Sequence, residues 1–226
     1  MTRAVLFDFD FTLADSSAAV AECVRFALHR LGLGTVEVDA VRRTVGLSLS
    51  DSFGALTGHN DPALVETFSK LFIERADEIM VSSTSLYPRS AYVLGALRER
   101  GIGTAIVSTK FRYRIQAILA AADLHDAVDV IVGGEDVAQH KPHPEPLRQA
   151  VAQLGVDPTT SLYVGDHPID GVAAKNAGIR FVHVMTGADH GELAWAAIDR
   201  YATIENIAGV LNLPDVSISA PQGSAV

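Results

Sequence analysis

Ala4-Val5-Leu6-Phe7 is apolar at every position and ends abruptly at a carboxylate, Asp8. A run this short with no polar face suits a strand covered on both sides, as in a parallel sheet between helices. Four later runs have the same form, at 103–108, 128–132, 161–164 and 181–184. Stretches with helical spacing separate them, at 91–100, 113–122, 146–154 and 170–177. Parallel neighbours need a crossover, usually a helix, so the alternation predicts an α/β fold with helices on both faces of a parallel sheet. The rhythm breaks once. Between 16 and 85, segments 18–31, 38–45, 50–56 and 62–80 carry apolar residues at helical spacing, with no strand-like run among them. This predicts a helical domain, 16–85, inserted into a core formed by 1–15 and 86–214. A chain of 226 residues has room for both. The stretch 215–226, rich in Ser, Pro, Gly and Ala, has little to bury and is expected to be disordered.

Hydrophobic residues make up 48% of the chain and charged residues 20%, the composition of a packed core. The formal net charge of -9 opposes sequence-independent attraction to nucleic acid or an anionic membrane, both of which depend on Lys and Arg. The alternation Lys110-Phe111-Arg112-Tyr113-Arg114 therefore reads as a helix start with solvated arginines. No apolar run approaches the ~20 residues of a membrane span. Met1-Thr2-Arg3 leads directly into the first strand instead of a signal peptide, so a cytoplasmic protein, monomeric or homodimeric, is expected. The single cysteine, Cys23, lies among small and apolar residues and reads as packing, as does Trp195 in the last helical stretch. His140, His143, His167, His183 and His190 are too scattered to suggest a zinc site.

Open parallel sheets bind ligands beyond the carboxyl ends of their strands, so the residues just after each apolar run carry most information. Asp8 and Asp10 follow the first run, Ser108-Thr109-Lys110 the second, Lys141 lies beyond the third, and Asp166 and Asp170 follow the fourth. Asp8 and Asp10 are two residues apart, on one face of an extended backbone, where unpaired carboxylates repel each other. A divalent cation resolves the conflict, and hard oxygen ligands suit Mg²⁺ with a substrate phosphate. Hydroxyl and amide donors at Ser108 and Thr109 suit phosphate oxygens. The chain has only four lysines, and two of them, Lys110 and Lys141, fall on this rim.

The ordered set Asp8-Phe9-Asp10-Phe11-Thr12, Ser108, Lys141 and Gly165-Asp166-His167-Pro168-Ile169-Asp170 resembles the haloacid dehalogenase superfamily from about Arg3 to Leu211. An insertion between the first two motifs is similar to the phosphoglycolate phosphatase-like branch. So are Val45-Gly46-Leu47-Ser48, Tyr87-Pro88, Lys141-Pro142-His143-Pro144 and 173–178. The resemblance implies a Rossmann-like core with a helical cap, and a Mg²⁺-dependent phosphatase acting on a small phosphorylated metabolite. It makes Asp8 the nucleophile and Asp10 the general acid and base. Asp8, the main-chain carbonyl of Asp10, and Asp166 would hold the metal, supported by Asp170, while Ser108 and Lys141 would bind the phosphoryl group. Gly46 and Ser48 of the cap loop, with Thr109, Lys110, Phe11 and Arg112, are the further substrate-binding candidates.

Phe11 stands where this branch usually has glycine, and its side chain is expected to point away from the turn toward the cap. Arg89-Ser90 likewise replaces a usual glycine after Tyr87-Pro88. Asp10 argues against carbon–halogen hydrolysis, which the resemblance associates with loss of that aspartate. A phosphonatase would need a cap lysine near the site, and the only cap lysine, Lys70, is remote in sequence from Gly46. A β-phosphoglucomutase-like enzyme, for which an arginine is expected where Ser48 stands, an inorganic pyrophosphatase and a non-catalytic binding module are the alternatives.

Overall fold

The computed structural model describes residues 1–216. In chain order it contains β1 (Ala4–Phe7), β2 (Ala14–Asp15), α1 (Ser17–Leu31), α2 (Val38–Arg42), α3 (Leu49–Thr57) and α4 (Pro62–Ile79). These are followed by β3 (Ser85–Leu86), α5 (Ser90–Glu99), β4 (Gly103–Val107), α6 (Arg112–Ala121), β5 (Val130–Val132) and α7 (Glu145–Leu154). Last come β6 (Ser161–Gly165), α8 (Pro168–Ala177), β7 (Arg180–Val184), α9 (Glu192–Trp195) and β8 (Ala202–Ile204).

Six strands form one sheet in the order β5-β4-β1-β6-β7-β8, with every pairing parallel. β1 lies between β4 and β6, so the chain fills one side of the sheet and then the other. The topological switch falls at the carboxyl end of β1. Alternate residues of β1 enter different cores: Val5 and Phe7 join the cluster that continues into α1 and α4, while Ala4 and Leu6 join the cluster beneath α7 and α8. All four are fully buried, which is why this strand shows no polar alternation. Between β2 and β3 the chain is helical. α1 packs on α4, and α4 begins with Pro62 and with Asp61 accepting from the amides of Ala63 and Leu64. β2 and β3 pair antiparallel, Ala14 opposite Leu86, so the two ends of this helical segment are joined side by side.

Three features differ from the sequence expectation. β5 begins at Val130 instead of 128, because the Asp129 carboxylate accepts from the Thr104 amide at 2.7 Å, a donor that a longer ladder would have used. β8 was not expected; three residues are too few to show a period, and their pairing with β7 is extended by the Tyr201 amide donating to the Phe181 carbonyl of β7 and the Met185 amide donating to the Ile204 carbonyl of β8. The expected disorder does not start at 215. The Asp215 carboxylate pairs with Arg180 and accepts from the Tyr201 hydroxyl, its carbonyl accepts from the Thr2 amide, and Val216 is buried. The rest of that stretch, 217–226, lies outside the described residues. Among the described residues no helix is long and apolar enough to cross a membrane.

His183 on β7 lies against Trp195, ring centroids 3.9 Å apart, and its buried Nδ1 has no hydrogen-bond partner. Burial, with help from the charges of Arg200 and His190, lowers its pKa from 6.5 to about 4. The unfolded chain therefore takes up a proton here before the folded one does. The His183 contribution to stability is complete above pH 6.5 and declines as the pH falls toward about 4. Urea unfolding at pH 7.5 and pH 5 should show a smaller acid loss of stability for His183→Gln than for the unmodified protein.

Candidate active site

The sheet delivers four functional side chains to the carboxyl edge around β1. Asp8 follows β1, with its amide donating to the Val164 carbonyl of β6 at 2.9 Å. Ser108 follows β4, Asp166 follows β6, and Lys141 enters from the loop before α7. Lys141 Nζ lies 3.2 Å from Asp8 Oδ2, 2.6 Å from Asp170 Oδ1 and 3.0 Å from the Tyr163 hydroxyl. Oxygens of Asp8, Asp166 and Asp170 all lie within 4.8 Å of one another, and all three residues are buried. The helix-capping role available to Asp166 is filled by others: the His167 ring accepts from the Ile169 amide, and Asp170 accepts from the His167 amide.

Three buried carboxylates thus face one buried ammonium. Lys141 is shared by Asp8 and Asp170, whereas among the described residues the Asp166 carboxylate has no ion-pair partner and accepts from the Thr12 hydroxyl at 3.3 Å. Burial raises the pKa of Asp8 against the pull of Lys141. It raises that of Asp166 well above the carboxylate range, reinforced by the charges of Asp170 and Asp8. Lys141 loses some preference for its charged form by burial, but Asp170 and Asp8 outweigh this and hold its pKa high. An all-oxygen donor set with surplus negative charge fits a divalent cation. The surroundings are shaped to the carboxylates. A Cβ on Gly187 would stand 2.1 Å from Asp166 Oδ2, and one on Gly165 would stand 2.4 Å from Asp170 Oδ2.

After Asp8 the backbone folds into a tight turn in which the Phe9 carbonyl accepts from the amides of Leu13 and Ala14. Asp10 is held by its own pair of partners, the Ser16 hydroxyl at 2.6 Å and Lys110 Nζ at 3.2 Å. Phe11 occupies the left-handed region at φ 59, a conformation costing a non-glycine residue about 1–2 kcal/mol. Its ring is buried beneath Arg42 of α2, with the guanidinium 4.8 Å from the ring centre, and its carbonyl accepts from the Thr186 hydroxyl.

The predicted site residues divide into two groups. Asp8, Asp10, Ser108, Lys110, Lys141, Asp166 and Asp170 meet at the carboxyl edge, with Ser108 and Asp8 following the neighbouring strands β4 and β1. Gly46 and Thr109 meet across the boundary with the helical segment, the Thr109 hydroxyl donating to the Gly46 carbonyl at 3.3 Å. Ser48 borders a cavity of about 380 Å³ between α1, α4 and the core, but its hydroxyl is committed to capping α3 through Asp51. Arg112 is not brought to the site. It is exposed and pairs with Asp136 at 3.1 Å, because its helix turns that side chain toward the 134–136 turn. Several residues that bear on the site carried no motif signal. They include Arg42, Tyr163, Ser16 and Gly187. Arg114, expected to be solvated, is instead buried, because it joins α6 to α4 by donating to Asp77 at 2.8 Å and to the Ile73 carbonyl at 3.1 Å. Tyr163 sits within an apolar run and Gly187 in an unpatterned loop, so only their contacts reveal them.

A buried aspartate beside a buried lysine and an acidic cluster that could hold a metal ion, at the switch point of a parallel sheet, is an arrangement suited to a hydrolase of the phosphoryl-transfer type. The haloacid dehalogenase-like hydrolase family model matches residues 5–184, and the chain belongs to this family. A phosphoglycolate phosphatase of Shigella boydii is 32% identical over 239 residues, spanning 94% of this chain and 93% of that protein. One from Xanthomonas campestris is 32% identical over 86% of this chain and 90% of its own length. The crystal structure of a haloacid dehalogenase-like hydrolase from Bacteroides fragilis superposes with a TM-score of 0.89 at 37% identity, covering 92% of this chain and 99% of that one. The chain is a phosphatase of this family.

Removing the buried cation should be costly. Lys141→Ala leaves Asp8 and Asp170 facing each other unpaired, and urea unfolding is expected to show a loss of about 3–5 kcal/mol. Gly187→Ala, which thrusts a methyl group into Asp166, should weaken divalent-cation binding at least tenfold by calorimetry while the far-ultraviolet circular dichroism is unchanged.

Proposed function

We propose that this phosphatase hydrolyses a small phosphate monoester with Mg²⁺, through a phosphorylated Asp8. The observation that carries this reading is the convergence of Asp8, Ser108, Lys141 and Asp166 around the end of β1. A phosphoryl group seated there meets Lys141 and the Ser108 hydroxyl, which offset charge on its oxygens and hold phosphorus in line with an Asp8 oxygen. As the phosphorus–oxygen bond of the ester breaks, protonated Asp10 gives its proton to the departing alcohol. Asp10 then takes a proton from the water that attacks the aspartyl phosphate, which releases phosphate and restores Asp8. Its bonds to Ser16 and Lys110 keep Asp10 oriented for both steps.

The residues suited to hold Mg²⁺ are Asp8, Asp166 and the main-chain carbonyl of Asp10, with Asp170 fixing Lys141 alongside. The metal supplies further neutralisation of the phosphoryl oxygens. Residues 16–85 act as a cap over a core of 1–15 and 86–214, with the β2–β3 pair as the hinge. This is supported by the contacts Thr109–Gly46 and Arg42–Phe11 across the boundary. Ser48, engaged with Asp51, offers no cation for the second phosphate that a mutase would hold.

Asp8→Asn should abolish phosphate release from acetyl phosphate and leave the fold intact. Asp10→Asn should lower turnover about 10²- to 10⁴-fold and most severely for alkyl esters, whose leaving groups need the proton. Wild-type rates in Asp8→Asn would overturn the covalent route. Saturation with Mg²⁺ at 100 times its Kd should stabilise the protein by about 2.7 kcal/mol, an effect that chelation reverses and that Asp166→Asn greatly reduces.

A further inference from the structure

The cavity of about 380 Å³ is contiguous with the reacting residues, since Asp10, Thr109 and Lys110 form part of its wall. Most of the remainder is apolar: Val20 and Val24 from α1, Phe68 and Phe72 from α4, Leu47 from the loop before α3 and Leu49 from the start of α3. The volume falls in the ~300–1,000 Å³ range of small-molecule sites. An alcohol protonated by Asp10 as it leaves phosphorus on the cap side would occupy this space, and a two-carbon acid would leave most of it empty.

The polar groups in the wall are nearly all engaged within the protein. Lys110 is held by Asp10 at 3.2 Å, with only 4% of its side chain exposed. Arg114, 6% exposed, is held by Asp77 and lies 5.1 Å from the ring centres of both Phe111 and Tyr113. The Thr44 hydroxyl donates to the Val41 carbonyl, that of Ser52 to the Thr44 carbonyl, and that of Thr109 to the Gly46 carbonyl. Ser48 is bound to Asp51, and a His140 ring nitrogen to the Gly134 carbonyl. The hydroxyls of Ser50 and Ser69 are what is left. Arg42 is seated on Phe11, and neither it nor Arg43 is part of this wall. A carboxylate brought into the cavity would lose its hydration with no unpaired cation to receive it, a large cost in such surroundings. An alkyl group would lose only unfavourable contact with water.

We propose that the preferred substrates are phosphate monoesters of uncharged, largely apolar alcohols of medium-chain or aromatic size, not of small hydroxy acids. This deepens the phosphatase reading and rests on it. In a series from ethyl to hexyl phosphate, the ester chemistry is constant and only buried length changes. kcat/KM should therefore rise about fourfold per methylene, the partition ratio for burying one such group. 2-Phosphoglycolate should fall at least tenfold below hexyl phosphate. Leu47→Arg places a cation in the wall at a half-buried position, and should shift the hexyl phosphate to 2-phosphoglycolate ratio at least tenfold toward the acid. Calorimetry with non-hydrolysable analogues tests the subsite without turnover: hexylphosphonate should bind at least tenfold tighter than phosphonoacetate. A flat alkyl series with 2-phosphoglycolate preferred, or equal binding of the two phosphonates, overturns the apolar subsite and leaves the phosphatase reading in place. Failure to hydrolyse even acetyl phosphate overturns the phosphatase reading itself, while the phosphonate comparison still decides whether the cavity selects apolar groups.

Discussion

A fully enclosed lysine between two carboxylates is the constraint on which this molecule is organised. Lys141 is 2% exposed, and neither it nor Asp8 and Asp170 could be buried alone without a cost of several kcal/mol. Meeting that condition brings together parts of the chain that are far apart in sequence: the turn after β1, the loop after β5 and the first turn of α8. The loop that carries Lys141 is itself secured at several points. Glu145 accepts from the amides of Ala138 and Gln139, a His140 ring nitrogen contacts the Gly134 carbonyl, and Asn176 donates to the Pro142 carbonyl. The precision of the ammonium position thus derives from ordinary hydrogen bonds on the outside of the molecule.

The pairing is deliberately incomplete. One ammonium cannot neutralise Asp8, Asp166 and Asp170 together, and it is Asp166 that receives no cationic partner. Stability alone would favour replacing such a group with an apolar one. Glycines at 165 and 187 make room for carboxylates, so the imbalance is built into the backbone on both sides. Negative charge in excess of its protein partners is what a metal-assisted phosphoryl site requires, because a cation and a phosphorylated substrate complete the balance together.

The helical segment adds a different chemistry to the same edge. It shares an apolar cluster with the core and is tied to it by a few polar contacts and one cation–ring contact, while the space it encloses is lined largely by Val, Leu, Phe and Met side chains. Charge is thus concentrated at the sheet edge, and the cations that reach the cavity wall, Lys110 and Arg114, are each paired with a carboxylate. Cys23, buried within α1, belongs to this apolar packing, and burial pushes its thiol pKa up to about 12, far from a reactive range.

Much of this was legible in the residue order. Runs such as Ala4–Phe7 have to be strands covered on both faces, and a carboxylate ending such a run has to emerge at the edge where ligands bind. Asp8, Asp10, Ser108, Lys141, Asp166 and Asp170 could therefore be gathered from spacing and motif order alone. Spacing does not say which partner a side chain takes once the chain is folded. Arg112 turns out to Asp136, Ser48 caps α3, and Asp215, within an otherwise featureless tail, is held by Arg180. Nor does it disclose residues whose role is to leave room, such as Gly187, or to lend one hydroxyl to a buried lysine, such as Tyr163. Periodicity and chemical type are local properties, and they determined the parallel core, the helical insertion and the acidic rim. Which charges remain unpaired, and which surface faces the leaving group, depend on distances between segments more than a hundred residues apart, and only the tertiary structure decided those.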